Sequence, residues 1–181
     1  MTINKTNFKS RLLYLPVSIL GRVELWLTYR GLKNASSIQL RQKFSKNSSA
    51  TKRVMKWITE AGLFFEIDAK NKELLHVAKS QELVQKMKVL HWSENKKDIV
   101  FRGIQYGFPK EAVHSFSKDH TTVNTFTCQD VTKFPWKPYV RYMVRIGHER
   151  EDSLVAKKWA EVIRYDVPVL ADWFEQKLKN L

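Results

Sequence analysis

SSATKRVMKWITEAGLFFEIDAKNKELLHVA, residues 48–78, carries the pattern that decides the fold. Ser48 or Ser49 can cap a helix, because a serine oxygen accepts from a free amide of the first turn. On a 100° wheel Ala50, Val54, Trp57, Ile58 and Ala61 share one face. Ser49, Lys52, Lys56 and Thr59 point the other way, with Arg53 on the flank. Lys52 and Lys56 lie one turn apart, a like-charge pair that an isolated helix has no folding reason to prefer. Gly62 stops the helix. Leu63–Asp68 and Glu73–Lys79 then read as two strands around an Ala69-Lys70-Asn71-Lys72 turn with a basic tip.

Outward from this stretch, Pro16 suits the first turn of a preceding helix, where its missing N–H costs nothing. Val17, Leu20, Val23 and Leu27 fall at helical spacing, Ile19 and Trp26 widen the apolar face, and Gly31 is the stop. Ser36 or Ser37 caps an expected short helix, Ile38–Phe44, and Ser45-Lys46-Asn47 supplies a turn. Residues 1–11, MTINKTNFKSR, have no clear period and read as a basic arm or a frayed terminus. Downstream, Ser80 caps an expected helix, Gln81–His91, with Leu83, Val84, Met87 and Leu90 as its stripe. Trp92–Lys97 reads as a linker, giving domains over 1–92 and 98–181.

The order helix, short helix, turn, helix, β-hairpin resembles the winged helix-turn-helix superfamily over roughly residues 12–80. The features that carry the resemblance are the apolar/basic split of the third helix, the Ala61-Gly62-Leu63 passage into the first strand, and the Lys70/Lys72 tip. It implies that the third helix enters a major groove and the wing touches the backbone. A helix after the wing often makes a dimer in such regulators, so a homodimer is open, although ordinary core is the preferred reading of the Leu83–Leu90 stripe. The fold class expected is α+β and mainly helical, with an α-rich C-terminal half.

Charge points the same way. The chain carries a formal +14. Residues 1–56 hold twelve Lys or Arg and one acid, Glu24. A field that lopsided favours a polyanion. The expected nucleic-acid contacts are Ser49, Lys52, Arg53 and Lys56 in or beside a groove, and Lys43, Lys46, Lys70 and Lys72 on phosphates. Duplex DNA is expected ahead of RNA.

The second half is less legible. Tyr106-Gly107-Phe108-Pro109-Lys110-Glu111-Ala112-Val113-His114-Ser115-Phe116 resembles the Gly-Tyr-Pro-x-Cys-Cys-Val-x-x-Phe signature of an uncharacterised archaeal family. The paired cysteines of that family fall at Glu111 and Ala112, so any thiol or metal role they carry is absent. Lys110–Ser117 reads as a helix begun by Pro109. Residues 117–137 are irregular and long for a structureless loop. Tyr139–Ile146 fits either helix or buried strand. Arg150–Tyr165 reads as a helix with Leu154, Val155, Trp159, Val162 and Ile163 inward. Asp166 is expected to cap a last helix with Pro168 in its first turn. Arg141 and Arg145, interleaved with Trp136, Tyr139 and Tyr142, suit stacked single-stranded nucleic acid. The alternative is that they pair with nearby acids.

Other chemistry finds little support. There is no GxGxxG, GxxxxGK[ST], GxSxG, HExxH or EF-hand loop. His114, Asp119, His120 and Cys128 are metal-ligand types, but their spacing does not put both histidines on one helix face. No metal and no cofactor are expected. The single cysteine, Cys128, rules out an intrachain disulfide and a Cys-based zinc cage. No apolar run approaches the roughly 20 residues of a membrane span. With no secretory h-region either, a reducing, cytoplasmic setting is the simplest reading. The expectation is therefore a nucleic-acid-binding protein. The alternative is an enzyme or ligand-binding protein acting on an anionic substrate, with His114, His120, Arg141, Arg145 or His148 gathered in residues 106–150.

Overall fold

The computed structural model describes residues 5–41, 45, 48–119, 122–123, 137–140 and 144–179. The protein is α+β, with a small three-stranded antiparallel sheet among its helices. Two compact units divide the chain, Met1–His91 and Trp92–Leu181.

The first unit contains helices α1 (Lys5–Leu13) and α2 (Ile19–Tyr29), strand β1 (Ala35–Gln39), helix α3 (Ser49–Glu60), strands β2 (Phe64–Ile67) and β3 (Leu74–Ala78), and helix α4 (Gln81–Leu90). The sheet order is β1-β3-β2. Central β3 pairs Ile38 with Leu75 on one side and Ile67 with Leu75 on the other. Alternation then sorts the side chains. Ser36, Ile38, Leu75 and Val77 share the face that meets α2, where Thr28 Oγ1 lies 2.6 Å from Ser36 Oγ. His76 and Glu66 share the opposite face, which α4 covers: Lys88 Nζ reaches Glu66 at 3.0 Å. β3 is buried from both sides, and Leu75, His76, Val77 and Ala78 are all buried.

Local chemistry sets the helix ends. Ser48, Ser80 and Ser18 each accept a first-turn amide. After α3 the chain turns at Gly62 with φ of +69°, a left-handed conformation that only glycine takes without strain. On α3, Thr51, Val54, Trp57 and Ile58 are buried, while Lys52, Arg53 and Lys56 are exposed.

Three expectations for this unit are corrected. Residues 5–13, inside the stretch read partly as an arm, form a packed helix. Phe8 stacks on Trp57 at 4.6 Å, and Trp57 Nε1 donates to the Phe8 carbonyl at 3.3 Å. Phe8 and Leu12 are one turn apart and both buried. Second, Ile38 and Gln39 belong to a strand rather than to a short helix, and Leu40 bridges to Val17. The serines read as caps have other partners: Ser36 donates to Glu24 Oε2 at 3.1 Å, and Ser37 bonds His76 Nδ1 at 2.9 Å. Phe44, the far end of that expected helix, lies outside the described residues. Third, α2 begins after Pro16, with Ser18 as its cap.

Charge is also buried here. Lys33 Nζ pairs with Glu24 Oε2 at 2.6 Å, and Lys33 is 2% exposed. Arg22 donates through Nε and Nη2 to the Leu15 carbonyl, tying the α1–α2 turn to α2. Burial lowers its pKa, with Arg41 adding to the effect. Arg22 and Lys33 therefore belong to the interior, and the basic surface is smaller than a count of cations suggests.

In the second unit, α5 (Lys96–Gln105), capped by Asn95, packs on α6 (Lys110–Asp119). The approach is close at Gly103, where an added Cβ would come within 2.7 Å of Val113 Cγ2. A strand pair, β4 (Thr122–Val123) with β5 (Val144–Arg145), and a 3-10 turn (Lys137–Tyr139) follow. The last helices are α7 (Glu149–Asp152), α8 (Leu154–Asp166) and α9 (Pro168–Lys179). The helix expected over Arg150–Tyr165 is thus two, with Ser153 between them. Its inward face is also rotated. Ala156, Trp159, Ala160 and Ile163 are buried, whereas Leu154 is exposed. Asp166 ends α8 instead of capping α9. Arg164 Nε donates to Glu175 Oε1 at 2.9 Å, which ties α8 to α9. Tyr139, buried against Phe174, donates to the same oxygen at 3.3 Å. Burial, with Glu175 alongside, pushes the pKa of that phenol well up.

Candidate nucleic-acid interface

Helix α3 presents its cations because its apolar residues are committed inward. Trp57 is held by Phe8, and Val54 and Ile58 are buried. Rotation about the helix axis would expose all three, so Ser49, Lys52, Arg53 and Lys56 are fixed toward solvent. Among the described residues no acid pairs with Lys52 or Arg53. Lys56 Nζ stands 3.9 Å from Glu60 Oε1, a long, exposed pair of little energetic weight.

The hairpin tip is fixed by one carboxylate. Asp68 Oδ1 accepts from the amides of Lys70 at 2.8 Å and Asn71 at 2.7 Å. Its Oδ2 lies 3.0 Å from His76 Nε2, and His76 Nδ1 lies 2.9 Å from Ser37 Oγ. A side-chain chain therefore runs from β1 through β3 to the turn, and it sets the direction in which the exposed Lys70 and Lys72 leave the sheet. Ser, His and Asp in series are also the parts of a nucleophilic relay. Here the ring is 0% exposed and no substrate can reach it, so the chain is a brace. Burial lowers the pKa of His76, and Asp68 partly restores it. The neutral ring, with one N–H and one bare nitrogen, satisfies both neighbours.

The expected contact residues divide as follows. Ser49, Lys52, Arg53 and Lys56 lie together on α3, and Lys70 and Lys72 lie on the hairpin tip. Lys43, Lys46 and Arg141 lie outside the described residues. Arg145 is ion-paired with acids of its own unit. Its Nη2 lies 2.9 Å from Asp152 Oδ1, its Nε bonds the same carboxylate, and Glu151 stands 3.5 Å away. The Asp152 hydrogen bond raises the pKa of the guanidinium. This is the acid-pairing alternative weighed from the sequence.

The alternative site over residues 106–150 gains no centre among the described residues. His114 is exposed on α6, His148 Nδ1 bonds Glu151 Oε2 at 2.9 Å, and His120 and Cys128 lie outside the described set. No group of three His, Cys, Asp or Glu side chains among the described residues is arranged to hold a metal ion. No described helix is long and apolar enough to cross a membrane. No protein-family model, no curated protein and no solved structure matches this chain.

Proposed function

We propose that the first unit is a nucleic-acid-binding module of winged-helix type, with α3 directed at the major groove of duplex DNA and the β2–β3 hairpin on the flanking backbone. The observation that carries this reading is the outward face of α3, where Ser49, Lys52, Arg53 and Lys56 stand together opposite a fully committed apolar face. The hairpin β2–β3 directly after α3 and the sheet order β1-β3-β2 support this reading, while strand β1 takes Ile38 and Gln39, where the short helix of the winged-helix plan is expected. The Asp68 brace supports it further, because a pre-set wing loses little conformational freedom on docking.

Affinity in this reading comes mainly from phosphates and falls steeply with salt. Lys52→Glu combined with Lys56→Glu abolishes retention on a duplex in an electrophoretic shift at about 100 mM salt, because each lost phosphate contact removes roughly 0.9 from the salt slope. Far-ultraviolet circular dichroism remains unchanged, since both side chains are exposed. Retention by the double variant equal to that of the parent overturns the reading.

A further inference from the structure

A cleft of about 350 Å³ opens between α1 and α3, lined by Ser10, Arg11, Tyr14, Leu15, Arg53 and Lys56. We propose that this cleft seats one backbone phosphate of the bound nucleic acid, making α1 the second wall of the interface. The inference rests on the nucleic-acid reading above and adds a place and a set of residues to it.

The charge balance of the cleft is uneven. Three cationic side chains line it, and among the described residues one carboxylate serves them. Glu60 Oε2 takes Arg11 Nη1 at 2.6 Å, and Glu60 Oε1 stands 3.9 Å from Lys56. Among the described residues no acid pairs with Arg53. The surplus is two positive charges around a concavity, which is the complement of a phosphodiester with its neighbouring sugar. Guanidinium groups suit the task, because their fixed fork of donors matches phosphate oxygens in pairs. Leu15 is buried at the cleft and gives it an apolar patch, which strengthens charge interactions above it. Tyr14 is 71% exposed beside the cations. An aromatic ring left in water next to arginines offers a surface for a sugar or a base.

Glu60 has a definite part in this arrangement. It occupies Arg11 in the absence of ligand, so an incoming phosphate competes with it. Replacing its charge frees Arg11 and Lys56 together.

The test uses the full chain and a mixed-sequence duplex of about two helical turns, roughly 20 base pairs. Arg53→Ala lowers affinity roughly tenfold near 100 mM salt and reduces the salt slope by about one. Glu60→Gln moves both quantities the other way. In nuclear magnetic resonance the Nε–Hε signals of Arg11 and Arg53 shift on titration with the duplex. Inorganic phosphate serves as a separate arm. Shifts with phosphate and none with the duplex overturn the proposal. So do unmoved arginine signals together with an unchanged slope for Arg53→Ala, and if Lys52→Glu and Lys72→Glu still weaken binding in that case, the nucleic-acid reading survives alone. A parent chain that retains no nucleic acid overturns both.

Discussion

Asp68→Ala and Asp68→Asn separate the two duties of one buried carboxylate. Among the bonds of Asp68 are three to neighbouring groups, two accepted from turn amides through Oδ1 and one from His76 through Oδ2. Alanine removes all three. His76 is 0% exposed, so its Nε2–H is left without an acceptor, at a cost of about 1–3 kcal/mol. The turn amides reach water, and their loss adds about 1 kcal/mol. The sum is about 2–4 kcal/mol, which corresponds to a roughly 30- to 1000-fold larger equilibrium constant for local opening. Asparagine keeps an oxygen for the turn and turns an amide toward His76. The ring then adopts its other tautomer, with Nδ1–H donating to Ser37 Oγ, at about 1 kcal/mol.

The assay is hydrogen exchange at the Asp68 and Leu74 amides, which donate to Leu74 O at 3.0 Å and Asn71 O at 2.9 Å and close the hairpin. Acid adds a second signature. The pKa of His76 in the fold lies below its ordinary value, so the unfolded chain takes the proton first. Stability is level above about pH 6.5 and falls below it. Around the ring stand Asp68, Lys88, Glu66 and the His91 ring at 4.8 Å. Asp68 is the principal group favouring the protonated ring, so Asp68→Asn deepens the acid loss below about pH 6.5. Equal exchange rates in the alanine and asparagine variants, or an asparagine variant no more acid-sensitive than the parent, refute the brace.

Other outcomes follow from packing. Phe8→Ala lowers the stability of the first unit by about 3–5 kcal/mol in urea unfolding followed by tryptophan fluorescence, because it empties the stack against Trp57. A loss below about 1 kcal/mol would mean that α1 does not dock. Lys33→Met leaves Glu24 buried without its cation and costs about 3–5 kcal/mol, while Lys33→Met with Glu24→Leu recovers most of that in the same assay. Gly103→Ala forces Val113, whose β-branched side chain is stiff, and destabilises the second unit by about 1–2 kcal/mol despite the better helix propensity of alanine. Val113→Ala in the same chain restores part of the loss, as thermal unfolding would record.

The sequence was legible where one period ran long enough between clear stops. α3 has twelve residues, a serine cap and a glycine end, and both its buried and its basic faces were readable from spacing. The hairpin was readable for the same reason. β1 was not, because Ser36 and Ser37 have the chemistry of caps and their true partners lie far off in sequence: Ser37 meets His76, 39 residues away. α1 was missed because only Phe8 and Leu12 mark its buried face, among Lys, Asn, Ser and Arg. In the candidate interface, α3 and the tip were anticipated, while Arg11 and Tyr14 were not. Nothing local connects residue 11 with residue 60; only the docking of α1 does. Arg145 illustrates the converse, since Asp152 lies seven residues further on and the β5–α7 turn brings it back.

The sheet order also bears on how the chain reaches its fold during synthesis. β1 emerges early, yet its partner β3 follows only after α3 and β2, so the central strand closes last. Until then Ile38 on β1 and Ile67 on β2 lack Leu75, the residue both pair with, and the nascent first unit presents apolar strand residues to the surroundings. Closure over such a sequence separation is slow compared with helix formation. Ribosome-bound chains ending before residue 78 should therefore bind a hydrophobic dye, and chains extended past α4 by enough residues to clear the exit tunnel should not.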